Sequence, residues 1–301
     1  MNPLMLWLQA LRPRTLVLAA AGVGLGQFLV AAETGGITWS TLLLTLLTAV
    51  LLQVLSNLAN DYGDSLHGAD GAGRVGPQRA VQSGQVSPRR MLGAVVLSAA
   101  LAAVSGLLLV VSALGSRGLL LAAGFVLLGG LAIWAAYAYT ATAKPYGYVG
   151  LGDLMVFICI GPVAVLGSHY LQTGQFMPAN LLPAAAAGLL AVAVLNVNNM
   201  RDLNGDRAAG KLTLPVRLGL PAARNYHALL LLGALLLGLA FVLFGWQSAW
   251  QLLFLLATPL LARHLAAVRS RSGAQLDPLL KQMALSALLF SVLFGLGQLL
   301  A

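Results

Sequence analysis

Apolar residues in this chain come in unbroken stretches of about twenty, the length of helix that crosses a ~30 Å hydrocarbon core. Short polar connections separate them. The pattern predicts nine spans, roughly 15–32, 39–59, 91–114, 119–139, 152–171, 180–199, 222–245, 249–268 and 279–300. The stretches lack the apolar–polar alternation of a transmembrane β-barrel. Pro162, Pro183 and Pro259 fall inside spans, where proline kinks a helix or sits near its end. Ahead of the first span, Leu4, Leu8 and Leu11 recur at helical spacing beside Trp7, which reads as a short interfacial helix. The expected fold is an all-α polytopic membrane bundle, one intramembrane domain over 1–301.

Composition excludes the soluble alternatives. Of 301 residues, 59% are hydrophobic and 8% charged, against about 25% charged in a soluble domain. The N-terminal run is too long for a removable signal sequence and is followed by further spans. A single cysteine, Cys159, lies inside an apolar run and rules out a disulfide within the chain or a thiolate metal site; it reads as a small buried residue. The formal charge of +9 does not indicate nucleic acid, because the Lys and Arg residues sit where the positive-inside rule puts them. Apart from Arg117, they gather at the N-terminus and about the connections after spans two, four, six and eight. That set is expected to face the cytoplasm, which leaves the C-terminus periplasmic. Two of these connections, Tyr62 to Arg90 and Leu203 to Pro221, are long, as lids and binding loops are.

Four of the eight acidic residues occupy just two places, the ends of spans two and six. The first reads NLANDYGD from Asn57 to Asp64, the second NNMRDLNGD from Asn198 to Asp206. At 100° per residue, Asn57, Asp61 and Asp64 fall within about 60° of one another on a helix. Asn198, Asp202 and Asp206 form a similar stripe provided the helix continues through Gly205. Two fringes of oxygen ligands suit hard divalent cations such as Mg²⁺. Arg74, Arg79, Arg201, Arg207 and Lys211 surround them, so the expected ligand is polyanionic and arrives with metal, as a diphosphate does.

These residues resemble the two aspartate motifs of the UbiA-type intramembrane prenyltransferases. Also similar are RVGPQR at Arg74–Arg79, GLGD at Gly150–Asp153, GPVA at Gly161–Ala164 and GKLT at Gly210–Thr213. The similarity is greatest to the branch that prenylates 1,4-dihydroxy-2-naphthoate. One position departs: the superfamily's third acid, four residues after Asp64, is replaced by Gly68, and the next acid is Asp70.

The resemblance implies transfer of a polyprenyl group from polyprenyl diphosphate to 1,4-dihydroxy-2-naphthoate, with loss of CO₂, in menaquinone synthesis at the bacterial cytoplasmic membrane. It implies two Mg²⁺ ions held by Asp61, Asp64, Asp202 and Asp206 with Asn57 and Asn198, in a site facing the cytoplasm. Asn60, Arg74, Arg79, Arg201 and Lys211 are then expected at the diphosphate. Lys144, Tyr146, Tyr148 and Asp153, between spans four and five on the same side, are expected at the aromatic acceptor, with Lys144 or a loop arginine on its carboxylate. His169 lies about 24 Å beyond Asp153 along a helix and belongs near the outer face. His227 and His264 are expected to be interfacial or packed, and His67 is a weaker loop candidate. Three other readings remain: a relative using another acceptor such as 4-hydroxybenzoate, a cation-coupled transporter, and a CDP-alcohol phosphotransferase. The transporter would place its acids near the midplane, and the phosphotransferase would concentrate them in one motif.

Overall fold

The computed structural model describes residues 3–68, 75–76, 79–115 and 117–301, and among them there is no strand. Its α-helices are α1 (Pro3–Leu11), α2 (Pro13–Thr34), α3 (Trp39–Leu66), α4 (Pro88–Leu114), α5 (Leu119–Ala138), α6 (Gly152–Ile158), α7 (Gly167–Thr173), α8 (Leu181–Arg201), α9 (Leu203–Ala208), α10 (Leu214–Leu218), α11 (Leu220–Phe244), α12 (Thr258–Ser270) and α13 (Asp277–Leu299). A π-helical stretch, Cys159–Leu166, joins α6 to α7, and a 3₁₀ stretch, Ala249–Ala257, precedes α12. Among the described residues nine helical segments are long and apolar enough to cross a membrane, at the positions the apolar pattern predicts.

The prolines act as expected, each in its own way. Pro162 lies within the π stretch, where a widened turn accommodates a ring that cannot donate to the helix ladder. Pro183 falls in the first turn of α8, and Pro259 in the first turn of α12, where a missing N–H costs nothing. Helix α1 forms where the spacing predicts it, burying Leu6 and Ala10 while Met5 and Leu8 stay exposed.

α8 is the axis of the bundle. Its small residues, among them Ala184, Ala186, Gly188 and Ala191, are buried and let neighbouring backbones approach closely. A Cβ at Gly161 would lie 2.5 Å from the Ala184 carbonyl oxygen, so the π stretch and α8 touch backbone to backbone. α2, α8, α11 and α13 share one apolar core that includes Phe254, Phe290 and Phe294. α1, α3 and α4 share another with Ala80, Val81 and Val86 of the following loop. α5 buries little beyond Ala135 and Ala138 and exposes Leu119, Leu120 and Leu127, as a lipid-facing helix does.

The structure corrects one expectation. The α8 helix does not continue through Gly205: it ends at Arg201, turns at Asp202 and restarts as α9. Asn198, Asp202 and Asp206 therefore do not form one straight stripe.

Candidate active site

A cavity of about 900 Å³ opens among α2, α3, α5, α6, α8 and α13. Along α3 its lining runs from Asp64 and Asp61 to Thr45, and at 1.5 Å per residue the Asp61–Thr45 stretch is about 24 Å long. The deep part is walled mainly by apolar residues such as Leu18, Val23, Phe125 and Val163, and the charged groups collect at one end.

At that end α3 is a continuous helix through both acids. It can run close beneath the end of α5 because residue 63 is glycine: a Cβ there would stand 2.4 Å from the Thr140 carbonyl carbon. Asp61 is buried, and the backbone N–H groups of Ala80 and Val81 donate to it at 3.1 and 3.4 Å, so the loop after α3 folds over this carboxylate. Asp64 accepts from the Tyr148 hydroxyl at 3.0 Å, and Arg79 and Lys211 each approach it at 3.4 Å. Lys211 Nζ also lies 5.2 Å from the Tyr148 ring centre. Asn57 donates to the Leu11 carbonyl at 2.8 Å and to Thr15 Oγ1 at 2.9 Å, fixing the joint between α1 and α2. Asn60 Oδ1 is buried without a partner.

The second fringe is arranged differently. Arg201 grips Asp202 with two bonds of 2.9 and 2.6 Å, donates to Asn198 Oδ1 at 3.0 Å, and reaches Asp277 at 2.5 Å. Arg14 holds the same Asp277 at 3.2 Å. Gly76 of the first long loop lies against this guanidinium, a Cβ there falling 2.8 Å from Nη2. Asn198, Arg201 and Lys211 line the cavity, whereas Asp202 and Asp206 do not. Asp206 is buried, and its carbonyl accepts from the Lys211 N–H at 2.8 Å.

The four residues expected at the acceptor separate. Tyr146 lines the cavity, with its hydroxyl donating to the Ala135 carbonyl at 2.8 Å; burial raises its pKa. Tyr148 faces Asp64. Lys144 is exposed and does not line the cavity, and Asp153 is buried behind the wall, accepting from Tyr226 at 3.0 Å. Arg74 and Asp70 lie outside the described residues. His67 packs 5.3 Å from the Tyr148 ring, and Cys159 lines the cavity rather than a closed core. At the opposite end His169 pairs with Glu33 at 2.6 Å, away from the acids. His227 and His264 pack together, fully buried, with ring centres 5.2 Å apart.

Sequence reasoning missed Tyr139, Arg12, Arg14 and Lys281, which line the cavity, and Asp277 behind it. Burial pushes the Tyr139 pKa up to about 12 against the opposing charge of Lys211, keeping it a neutral phenol. The signal for Asp277 and Lys281 was present: both sit in the first turns of the last span, beside a connection on the same side as the acid motifs.

The donor set at the mouth is all oxygen: the carboxylates of Asp61 and Asp64, the unpartnered Asn60 Oδ1 and Asn198 Oδ1. This suits a hard divalent cation. Among the described residues no three acidic, histidine or cysteine side chains are gathered into a metal cluster.

The sequence profile of the UbiA prenyltransferase family matches residues 15–291. The chain belongs to that family. It is 48% identical over 292 residues to the 1,4-dihydroxy-2-naphthoate octaprenyltransferase of Escherichia coli (strain K12), covering 97% of this chain and 94% of that protein. It is 44% identical over 299 residues to the protein of the same name from Haemophilus influenzae, covering 99% and 96%. The fold is shared with a UbiA homolog from Aeropyrum pernix K1, with a TM-score of 0.68 at 18% identity over 95% of this chain and 96% of that one. It is also shared with a UbiA homolog from Archaeoglobus fulgidus bound to DMAPP and Mg²⁺, with a TM-score of 0.61 at 18% identity over 98% and 99%. The protein is thus a multi-pass membrane member of the UbiA family.

Proposed function

We propose that this protein transfers a polyprenyl group from polyprenyl diphosphate to 1,4-dihydroxy-2-naphthoate with loss of CO₂, giving demethylmenaquinol in menaquinone synthesis. The observation that carries this reading is the fringe of carboxylate and amide oxygens at the mouth of a long apolar cavity. Such a cavity takes a lipid tail with its anionic head at the acids. The names of the relatives from Escherichia coli and Haemophilus influenzae support the choice of acceptor.

In this reading Asp61 and Asp64 hold Mg²⁺, two ions with the diphosphate, supported by Asn57, Asn60 and Asn198. Asp202 and Asp206 join them once Arg201 turns to the diphosphate. Bound Mg²⁺ supplies charge neutralisation of the departing diphosphate. The chain's own groups do the rest. Arg79, Arg201 and Lys211, with Arg74 of the same loop, bind diphosphate oxygens, and Tyr148 keeps Asp64 aimed. The apolar walls along α2, α3 and α5 hold the tail, and the two long loops exclude water that would quench the allylic cation. The allylic C–O bond breaks with its electron pair going to diphosphate, and the electron-rich naphthalene ring forms the new C–C bond. The ring–carboxylate bond then breaks, its electrons restoring the aromatic ring as CO₂ departs. The charge distribution supports a mouth on the cytoplasmic side of the inner membrane, with the N-terminus inside and the C-terminus periplasmic.

The test uses 1,4-dihydroxy-2-naphthoate labelled at its carboxyl. Labelled CO₂ should leave in step with prenylated product. Faster prenylation of 4-hydroxybenzoate under the same conditions, or product retaining the label, overturns the assignment.

A further inference from the structure

Charged residues stand on both sides of the cavity mouth. On the α3 side the cavity-lining acids Asp61 and Asp64 sit among Arg12, Arg79 and Lys211, with Arg79 and Lys211 each 3.4 Å from Asp64. On the α13 side Arg14, Arg201 and Lys281 face Asp202 and Asp277, leaving a surplus of positive charge. Both of those carboxylates are already satisfied by arginine: Asp202 by two bonds from Arg201, Asp277 by Arg14 and Arg201 together.

Lys281 is what remains. It lies one turn along α13 from Asp277, lines the cavity, and has no ion pair among the described residues. The wall about it is apolar, with Leu280, Ala284 and Leu285 on α13 and Leu18 and Val194 across from them. An apolar slot with one uncompensated ammonium at its rim matches a flat aromatic ring bearing a carboxylate: the ring takes the walls, and the anion takes the cation. A diphosphate travelling with metal is matched instead by the cavity-lining carboxylates Asp61 and Asp64 on the α3 side.

We propose that Lys281 anchors the carboxylate of the aromatic acceptor, with the ring seated between α2, α8 and α13. This rests on the activity proposed above and names the acceptor's subsite within it. Lys144, exposed beyond the cavity wall, has no part in it. Arg14 remains on Asp277 and positions the rim.

The test separates the carboxylate from the ring, using the purified full-length protein in nanodiscs. Two fluorescent probes are titrated, 1-hydroxy-2-naphthoate and 1-naphthol, which lacks the carboxylate. Lys281→Ala should weaken the naphthoate probe about tenfold, the size of one charge-assisted contact at a half-open site, while leaving 1-naphthol binding unchanged. Lys281→Arg should restore the naphthoate probe to within about twofold, since guanidinium also pairs with carboxylate. In turnover, Lys281→Ala should raise KM for the acceptor and leave KM for polyprenyl diphosphate alone. The assignment fails if the unmodified protein does not bind the naphthoate probe, if Lys281→Ala weakens both probes alike or neither, or if the diphosphate KM moves instead. Should the protein bind 1-hydroxy-2-naphthoate through Lys281 yet not prenylate 1,4-dihydroxy-2-naphthoate, the subsite stands and the proposed activity falls.

Discussion

The two acidic motifs look like copies in the sequence, each with asparagine a turn ahead of aspartate and a glycine just before the last acid, yet the fold uses them differently. The first lies on an unbroken helix, with Asp61 and Asp64 lining the cavity and held by backbone N–H groups and a phenol. The second lies on a helix that breaks at Asp202, and its carboxylates do not line the cavity, with Asp202 bonded to Arg201. Even the glycines differ. A Cβ at Gly63 would strike the Thr140 backbone, whereas one at Gly205 meets nothing within 4 Å. In one fringe both carboxylates line the cavity; in the other, Asp202 is held by Arg201.

The largest effect expected from this contrast is at Asp61. Asp61→Asn keeps the shape and removes the charge, and kcat should fall about a thousandfold, the scale of losing one preorganised electrostatic contact. EDTA should silence the unmodified enzyme and added Mg²⁺ restore it; turnover persisting in EDTA would refute the metal mechanism. Asp202→Asn should cost less, about a hundredfold, with part of the loss appearing as a raised KM for polyprenyl diphosphate because Arg201 loses its resting partner. Equal losses at Asp61 and Asp202 would show that the two fringes work alike and dissolve the distinction. The smallest effect is on stability. Gly63→Ala should lower thermal stability by about 1–3 kcal/mol, as overpacking does, and Gly205→Ala should leave the melting temperature near that of the unmodified protein. A neutral Gly63→Ala would mean that α3 does not press on Thr140 as described.

Much of this was legible in the sequence because membranes impose long regular patterns. The nine apolar stretches coincide with nine helical segments, among the described residues, long and apolar enough to cross a membrane, and the concentration of acids at two of their ends marks the mouth. What stayed hidden depends on contacts distant along the chain. Arg201 and Asp277 are 76 residues apart, and no local spacing announces that they meet. Lys281 read as an ordinary positive charge at the start of a span. The break at Asp202 also escaped notice, because Asn, Asp and Gly beyond it permit a turn without requiring one. Cys159 read as core because a cavity wall and a packed core draw on the same residues.

The length of the apolar cavity has a consequence for how the enzyme should be measured. A reactant whose tail fills some 24 Å of bilayer-spanning protein never dissolves in water, and neither does its prenylated product. For such a reactant the governing concentration is its mole fraction in the two-dimensional lipid phase, and moles per litre of buffer lose their meaning. Adding inert lipid or detergent at fixed total substrate thins that phase and slows encounter, as if an inhibitor were present. A water-borne acceptor obeys ordinary volume concentrations, so a single turnover joins reactants counted in different dimensions.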